Sequence, residues 1–172
     1  MALHTFSIPS LRGRRARLRA PRAGDAGQLS ALYADPTGHL EECAEFFARG
    51  DRIDWIVADA ADAAIGTCTL YAIDRRRHCA EIGYALRSDV RGRGLATDAV
   101  AQVIAWSMRN FKLQRIEACV AHDNLPSQRL LERLGFAEVG SEPDGIARWA
   151  LDAAPTDHSR RSASSRYGLP SA

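Results

Sequence analysis

The stretch richest in chemistry is Arg91-Gly92-Arg93-Gly94-Leu95-Ala96. Its glycines let backbone approach a ligand closely, and a helix starting just after them offers unpaired N–H groups and a partial positive charge. The two arginines add charge and donors suited to phosphate. Together these describe a cradle for a pyrophosphate. A glycine-relieved turn with solvated arginines is the plainer alternative. Upstream, Glu81 lies in Cys79 to Leu86 (CAEIGYAL), which alternates as a strand does. It shares a strand face with small Gly83 and Ala85, opposite Ile82 and Tyr84. A carboxylate with small neighbours at a sheet centre suits a general base, directly or through a water. A structural carboxylate bonded to an arginine is its alternative. Tyr84 reads as a core residue. Downstream, Asn124 and Ser127 open a helix, where capping alone would explain an Asn.

Other phosphate and metal patterns fit less well. No Gly-Lys-Ser/Thr follows the glycines, so this is not a P-loop. Gly92-x-Gly94-x-x-Thr97 imitates a dinucleotide-binding fingerprint, and Glu117 lies about 20 residues on, where a ribose-binding acid belongs. However, Glu117 falls early in its strand. Residues 87–91 separate the preceding strand from the first glycine, and the upstream strands read as antiparallel. Cys43, Cys68, Cys79 and Cys119 form no CxxC pair and read as small apolar residues in a reducing compartment. His39 and Cys43 would share a helix face, while His78 and Cys79 point to opposite faces of a strand. No metal site is expected.

Positioning these groups takes one domain. With 46% apolar residues, 172 residues can bury a core without disulfides. A net charge of +2 argues against a protein held on nucleic acid by charge alone. No apolar run reaches the ~18 residues of a membrane span, and no signal-peptide pattern opens the chain. A cytoplasmic location follows as an expectation. Residues 13–20 read as an edge-like strand with wet Arg15, Arg17 and Arg19, residues 26–33 as a helix capped by Asp25, and residues 38–49 as a helix stopped by Gly50. Strands are expected over 52–59, 65–73, 79–86 and 114–121. A long helix covers 95–110, a shorter one 124–134, and a closing strand pair 136–140 and 146–151. Consecutive early strands imply antiparallel hairpins, and the strand–helix–strand run from Cys79 to Ala121 implies one parallel crossover. Residues 1–152 would be the domain. Residues 153–172, polar and without period, would be a mobile tail.

Several of these segments together resemble the GNAT acyltransferase superfamily. Arg91-x-x-Gly94-x-Ala96 is similar to its acyl-CoA signature, and Ala80 to Leu86 to the strand before it. Asn124-Leu-Pro-Ser127 followed by Leu134-Gly135-Phe136 resembles its Asn-x-x-Ser…Leu-Gly-Phe segment. Leu18-Arg19-Ala20-Pro21 with Asp25 and Ala34-Asp35-Pro36 looks like the RimJ/RimL-type branch. The resemblance covers residues 14–151. It implies an α/β (α+β) GNAT fold: a mixed, mostly antiparallel sheet of about seven strands, splayed between the fourth and fifth, with about four helices.

The resemblance also implies a chemistry. Acetyl-CoA would be the co-substrate, its pyrophosphate on the backbone amides of Arg91, Gly92, Arg93, Gly94, Leu95 and Ala96. Its pantetheine arm would bond, like an added strand, to backbone near Tyr84, Ala85 and Leu86, and would touch Asn124. A neutral amine would attack the thioester directly, with Glu81 as base, a strand N–H near Tyr84 or Ala85 for the oxyanion, and Ser127 donating to the leaving sulfur. Many members carry a tyrosine acid seven residues after the Asn; here that residue is Leu131. The acceptor is expected to be a protein N-terminus or a small-molecule amine. An α-amine with pKa near ~7.8 is roughly a tenth neutral at pH 7, far more than a lysine at ~10.4. A homodimer is compatible with the resemblance, as is a non-catalytic acyl-CoA sensor. The arginines at 12–22 and 75–77 read as a solvated face that could also dock an acidic partner, with no direct nucleic-acid role expected.

Overall fold

A computed structural model of the chain describes residues 7–153. The expected tail falls almost wholly outside the described residues. Eight strands form one sheet: β1 (Leu11–Arg12), β2 (Arg17–Arg19), β3 (Ile53–Ala58), β4 (Ala64–Asp74), β5 (Cys79–Leu86), β6 (Arg115–Ala121), β7 (Ala137–Ser141) and β8 (Ile146–Asp152). Their order is β1-β2-β3-β4-β5-β6-β8-β7. β5 and β6 pair parallel, and the other neighbours pair antiparallel. The α-helices are α1 (Ala26–Leu29), α2 (Pro36–Arg49), α3 (Leu95–Phe111) and α4 (Leu125–Arg133).

The extra strand comes from the N-terminus. Residues 13–16 turn the chain between β1 and β2, so the single strand expected there is a hairpin. The hairpin is held by Asp98 of α3, which accepts the main-chain N–H groups of Arg14, Arg15 and Ala16. α2 starts earlier than its periodicity suggests, because Asp35 caps it by accepting the Gly38 N–H at 2.9 Å. Gly50 ends it in the left-handed conformation, as expected.

Two layers of helix cover the sheet. Alternation puts Leu18, Trp55, Cys68, Leu70, Ile82 and Ile116 on the face that packs with α3 and α4 in the main core. On the opposite face, Ile56 and Ala64 pack with Leu29, Leu32, Tyr33 and Leu40 around α1 and α2.

The basic face of β2 is not wet. Arg19 is 5% exposed and pairs with Asp25, itself 3% exposed, through Nη2–Oδ1 at 2.7 Å and Nη1–Oδ2 at 2.9 Å. Arg19, Arg17 and Arg22 all meet Asp62 as well, so three of the arginines serve the fold. Asp25 does not cap α1; its carboxylate takes Arg19 and the Arg22 N–H instead. Burial pushes the Asp25 carboxyl up, but the bonds from Arg19 and the Arg22 amide outweigh it and hold it below its ordinary value. Asp25→Ala strands a buried guanidinium and is expected to destabilise the fold by about 3 kcal/mol, read as a lower urea midpoint at pH 7. A carboxyl held low in the fold stabilises above its unfolded pKa of ~3.9. The gap between wild type and variant should therefore close as pH falls below that value. An unchanged midpoint at pH 7 would show that Asp62 alone satisfies Arg19.

Candidate active site

The sheet opens at its centre. β5 and β6 are in register only at Cys79–Arg115, Ala80–Ile116 and Glu81–Glu117. Past Glu81 the two strands pair no further, although β5 continues to Leu86 and β6 to Ala121. Parallel strands that part this way leave main-chain donors and acceptors along the β5 edge for an added extended segment. This is the splay the resemblance implies, one strand later in the count because of the N-terminal hairpin.

At the end of β5 the chain makes a short 3-10 turn, Ser88–Val90, and enters the glycine loop. Arg91 Nε donates to the Leu86 carbonyl at 3.0 Å, tying the loop to the strand end. Gly92 and Gly94 have φ of +76° and +74°, a region that side chains strain to enter. Gly94 is the residue before α3, and no side chain caps that helix. Asp98, the acid of its first turn, is committed to the N-terminal hairpin instead. The hairpin brings one more group to the loop: Arg15 Nη1 donates to the Arg93 carbonyl at 3.0 Å, and its side chain lies 3.5 Å from where a Gly94 Cβ would be. Sequence reasoning put Arg15 on a solvated face. Its place beside the phosphate-type loop depends on a contact across 78 residues of chain, for which the sequence carries no local signal.

The two sides of β5 are chemically different. On the α1/α2 side stand Glu81, Gly83 and Ala85, as alternation predicts; their β4 partners are Tyr71, Thr69 and Thr67. Glu81 is half-buried and next to Glu117 across the parallel pair. Glu117 is engaged by Arg115 Nε at 2.7 Å. The Tyr71 phenol is pushed up to about 12 by burial first and by the nearby Glu81 carboxylate second. Part of the room expected beside Gly83 is filled: the Tyr71 ring edge lies 3.5 Å from where a Gly83 Cβ would be.

On the α3/α4 side Tyr84 reaches across the opening. Its hydroxyl lies 2.7 Å from Ser127 Oγ in the first turn of α4. Asn124 caps that helix, its Oδ1 accepting the Ser127 N–H at 3.3 Å. Leu131 is fully buried in the core. The structure thus brings Tyr84 and Ser127 together on one face of the sheet, and leaves Glu81 on the other face at the last β5–β6 pair before the opening.

A second polar cluster lies under α2. Asp54 on β3, 2% exposed, accepts from Arg52 Nε and Nη2, both at 2.8 Å, and from Thr69 Oγ1 at 2.7 Å. His39 and Cys43 share a helix face as expected, with Nε2 and Sγ 3.6 Å apart, and their ligand atoms lie within 4.8 Å of an Asp54 oxygen. The donor set suits a metal poorly. The Arg52 cation already holds both Asp54 oxygens, and burial pushes the Cys43 thiol up to about 12. Sequence reasoning did not single out Asp54, which hides in a run of buried strand residues.

A family model described as Acetyltransferase (GNAT) domain matches residues 15–137. A Bacillus licheniformis protein named Uncharacterized N-acetyltransferase p20 is 40% identical over 85 residues, 49% of this chain and 48% of that protein. The chain thus spans about half the length of the relatives it matches. Mycobacterium smegmatis RimJ, solved in complex with CoA-disulfide, superposes with a TM-score of 0.75 at 22% identity, covering 85% of this chain and 88% of that one. Spermidine N-acetyltransferase from Vibrio cholerae, solved in complex with CoA and spermine, superposes with a TM-score of 0.72 at 20% identity, over 80% of this chain and 95% of that one. At such identities the structural likeness carries the fold.

Proposed function

Because the chain belongs to the GNAT acetyltransferase family, we propose that it transfers an acetyl group from acetyl-CoA to a primary amine. The observation that carries this reading is the β5 edge, free of β6 beyond Glu81 and leading into the glycine loop and α3. The residues present fit the co-substrate. The loop amides from Arg91 to Ala96 face a pyrophosphate, with Arg15 adding charge beside them. Backbone of Tyr84 and Ala85 offers the edge for the pantetheine arm, and Asn124 stands at the rim on α4. Leu86 belongs to the same edge, with its carbonyl also bonded to Arg91.

The acetyl thioester supplies the electrophilic carbonyl. Glu81 takes a proton from the amine, directly or through a water, on the α1/α2 side of β5. A main-chain N–H near Tyr84 or Ala85 meets the oxyanion. Ser127 donates to the sulfur from the opposite side. The acceptor is a protein N-terminal α-amine or a small amine such as the spermidine enzyme of the same fold takes, and an α-amine needs less help to lose its proton. We place the reaction in the cytoplasm; among the described residues no helix is long and apolar enough to cross a membrane.

The test is release of free thiol from acetyl-CoA against a panel of amines: N-terminal peptides, polyamines and amino acids. Turnover with at least one amine is expected. Tight acetyl-CoA binding with no thiol released for any amine would make the chain an acyl-CoA sensor. Within this reading Ser127→Ala is expected to lower kcat about tenfold, the worth of one net hydrogen bond. The loss should be the same for amines of different pKa, because Ser127 serves the leaving group. A loss that grows with amine pKa would place Ser127 on the acceptor side instead.

A further inference from the structure

Tyr84 and Ser127 come from opposite walls of the opening, one on the unpaired part of β5 and the other on α4, and their oxygens are 2.7 Å apart. Two hydroxyls that share one hydrogen bond hold two protons and use one of them. The phenol is the stronger acid and so the better donor of the pair. Burial pushes its pKa up, and the bond to Ser127 only partly offsets this, so it stays protonated at neutral pH. The main-chain carbonyl of Ser127 competes for the same phenolic proton, but at 3.4 Å against 2.7 Å for Oγ it is the weaker acceptor. With Tyr84 donating, the Ser127 proton is free to turn elsewhere.

We propose that Tyr84 is a positioning residue: it donates to Ser127 Oγ and so aims the serine O–H into the gap between β5 and β6, at the departing sulfur. The proposal rests on the acetyl-CoA reading above. It gives this chain a phenol on the β5 wall, where α4 carries Leu131. The step balances without either hydroxyl losing its proton. The N–C bond forms, the C–S bond breaks, and sulfur leaves with the electron pair. Glu81 takes the proton that makes the amine neutral before attack, the second nitrogen proton passes to water as the amide forms, and the thiolate is protonated later from solvent. A thiol of pKa ~8.5 is a stronger acid than either hydroxyl, so the pair solvates the thiolate and does not protonate it.

The experiment titrates the thiol of free CoA bound to the enzyme, followed by the ultraviolet absorbance of the thiolate. Tyr84→Phe is expected to weaken ionisation of the bound thiol by several-fold to about tenfold. CoA affinity at low pH should hold, and kcat should fall while KM for acetyl-CoA does not move. Ser127→Ala should shift the thiol at least as far, and the double variant no further than Ser127→Ala alone. Ser127→Thr, which keeps the hydroxyl, should restore the wild-type titration. Wild-type thiol ionisation in Tyr84→Phe overturns the proposal, as do shifts that add fully in the double variant. Should Tyr84→Phe fail to fold, wild-type ionisation in Ser127→Ala overturns it equally. Absence of CoA binding by the wild-type protein would be a different failure, that of the acetyl-CoA reading itself.

Discussion

Gly94→Glu is expected to abolish acetyl-CoA binding in a chain that still folds. The backbone at this residue has φ +74°, so any side chain adds about 1–2 kcal/mol of left-handed strain. That is a fraction of the ~5–15 kcal/mol that holds a domain together. A Cβ there meets the Arg15 side chain at 3.5 Å, an ordinary contact, so no clash forces the loop apart. What changes is charge. A carboxylate next to the α3 N-terminus takes the place a pyrophosphate would occupy, satisfies the same amides and draws Arg15 to itself. Gly94→Ala separates the two effects, since it carries the backbone strain without the charge and should bind acetyl-CoA with a much smaller loss. Calorimetric titration of both variants, with thermal melts to confirm folding, decides the matter. Full affinity in a folded Gly94→Glu protein would remove the loop from the acetyl-CoA site.

Glu81→Gln is expected to lower kcat/KM by about 10²- to 10⁴-fold at low pH and by progressively less as pH rises. The amine must be neutral to attack. At high pH it loses its proton unaided, and the base becomes dispensable. The glutamine keeps the shape of the side chain. Tyr71, with its phenol pushed up to about 12, stays a neutral neighbour throughout the measured range. The change in slope between pH 6 and 9 is what marks Glu81 as the base. Amines of lower pKa should lose less than those of higher pKa at the same pH. Wild-type rates from pH 6 to 9 would leave Glu81 a structural carboxylate and point to the acceptor's own acidity as the source of neutral amine.

Local signals served the central part of the chain well. Alternation from Cys79 to Leu86 placed Glu81 with Gly83 and Ala85 on one face and Tyr84 on the other, and the register with β4 agrees. The glycine loop, α3 and α4 fall within a residue or two of where their periods put them, because each is long and strongly patterned. The N-terminus read less well. Arg15, Arg17 and Arg19 alternate as a wet strand face, yet Arg19 is buried. Asp25 and Asp62, one six residues on and the other 43, together supply what its guanidinium needs. Asp25, with the look of a helix cap, is drawn away to that ion pair.

The sequence by itself determined the family, the order of elements from β2 onward and the face of β5 on which each candidate group stands. These depend on period, on glycine placement and on short motifs, all of which act between near neighbours along the chain. Only the tertiary structure decided who meets whom. It set the residue at which β5 and β6 part, beyond Glu81. It carried Arg15 to the phosphate-type loop through Asp98, and it set Tyr84 against Ser127 across the opening. Such contacts join segments dozens of residues apart. Their energy is realised only when the whole core closes, so no local pattern announces them.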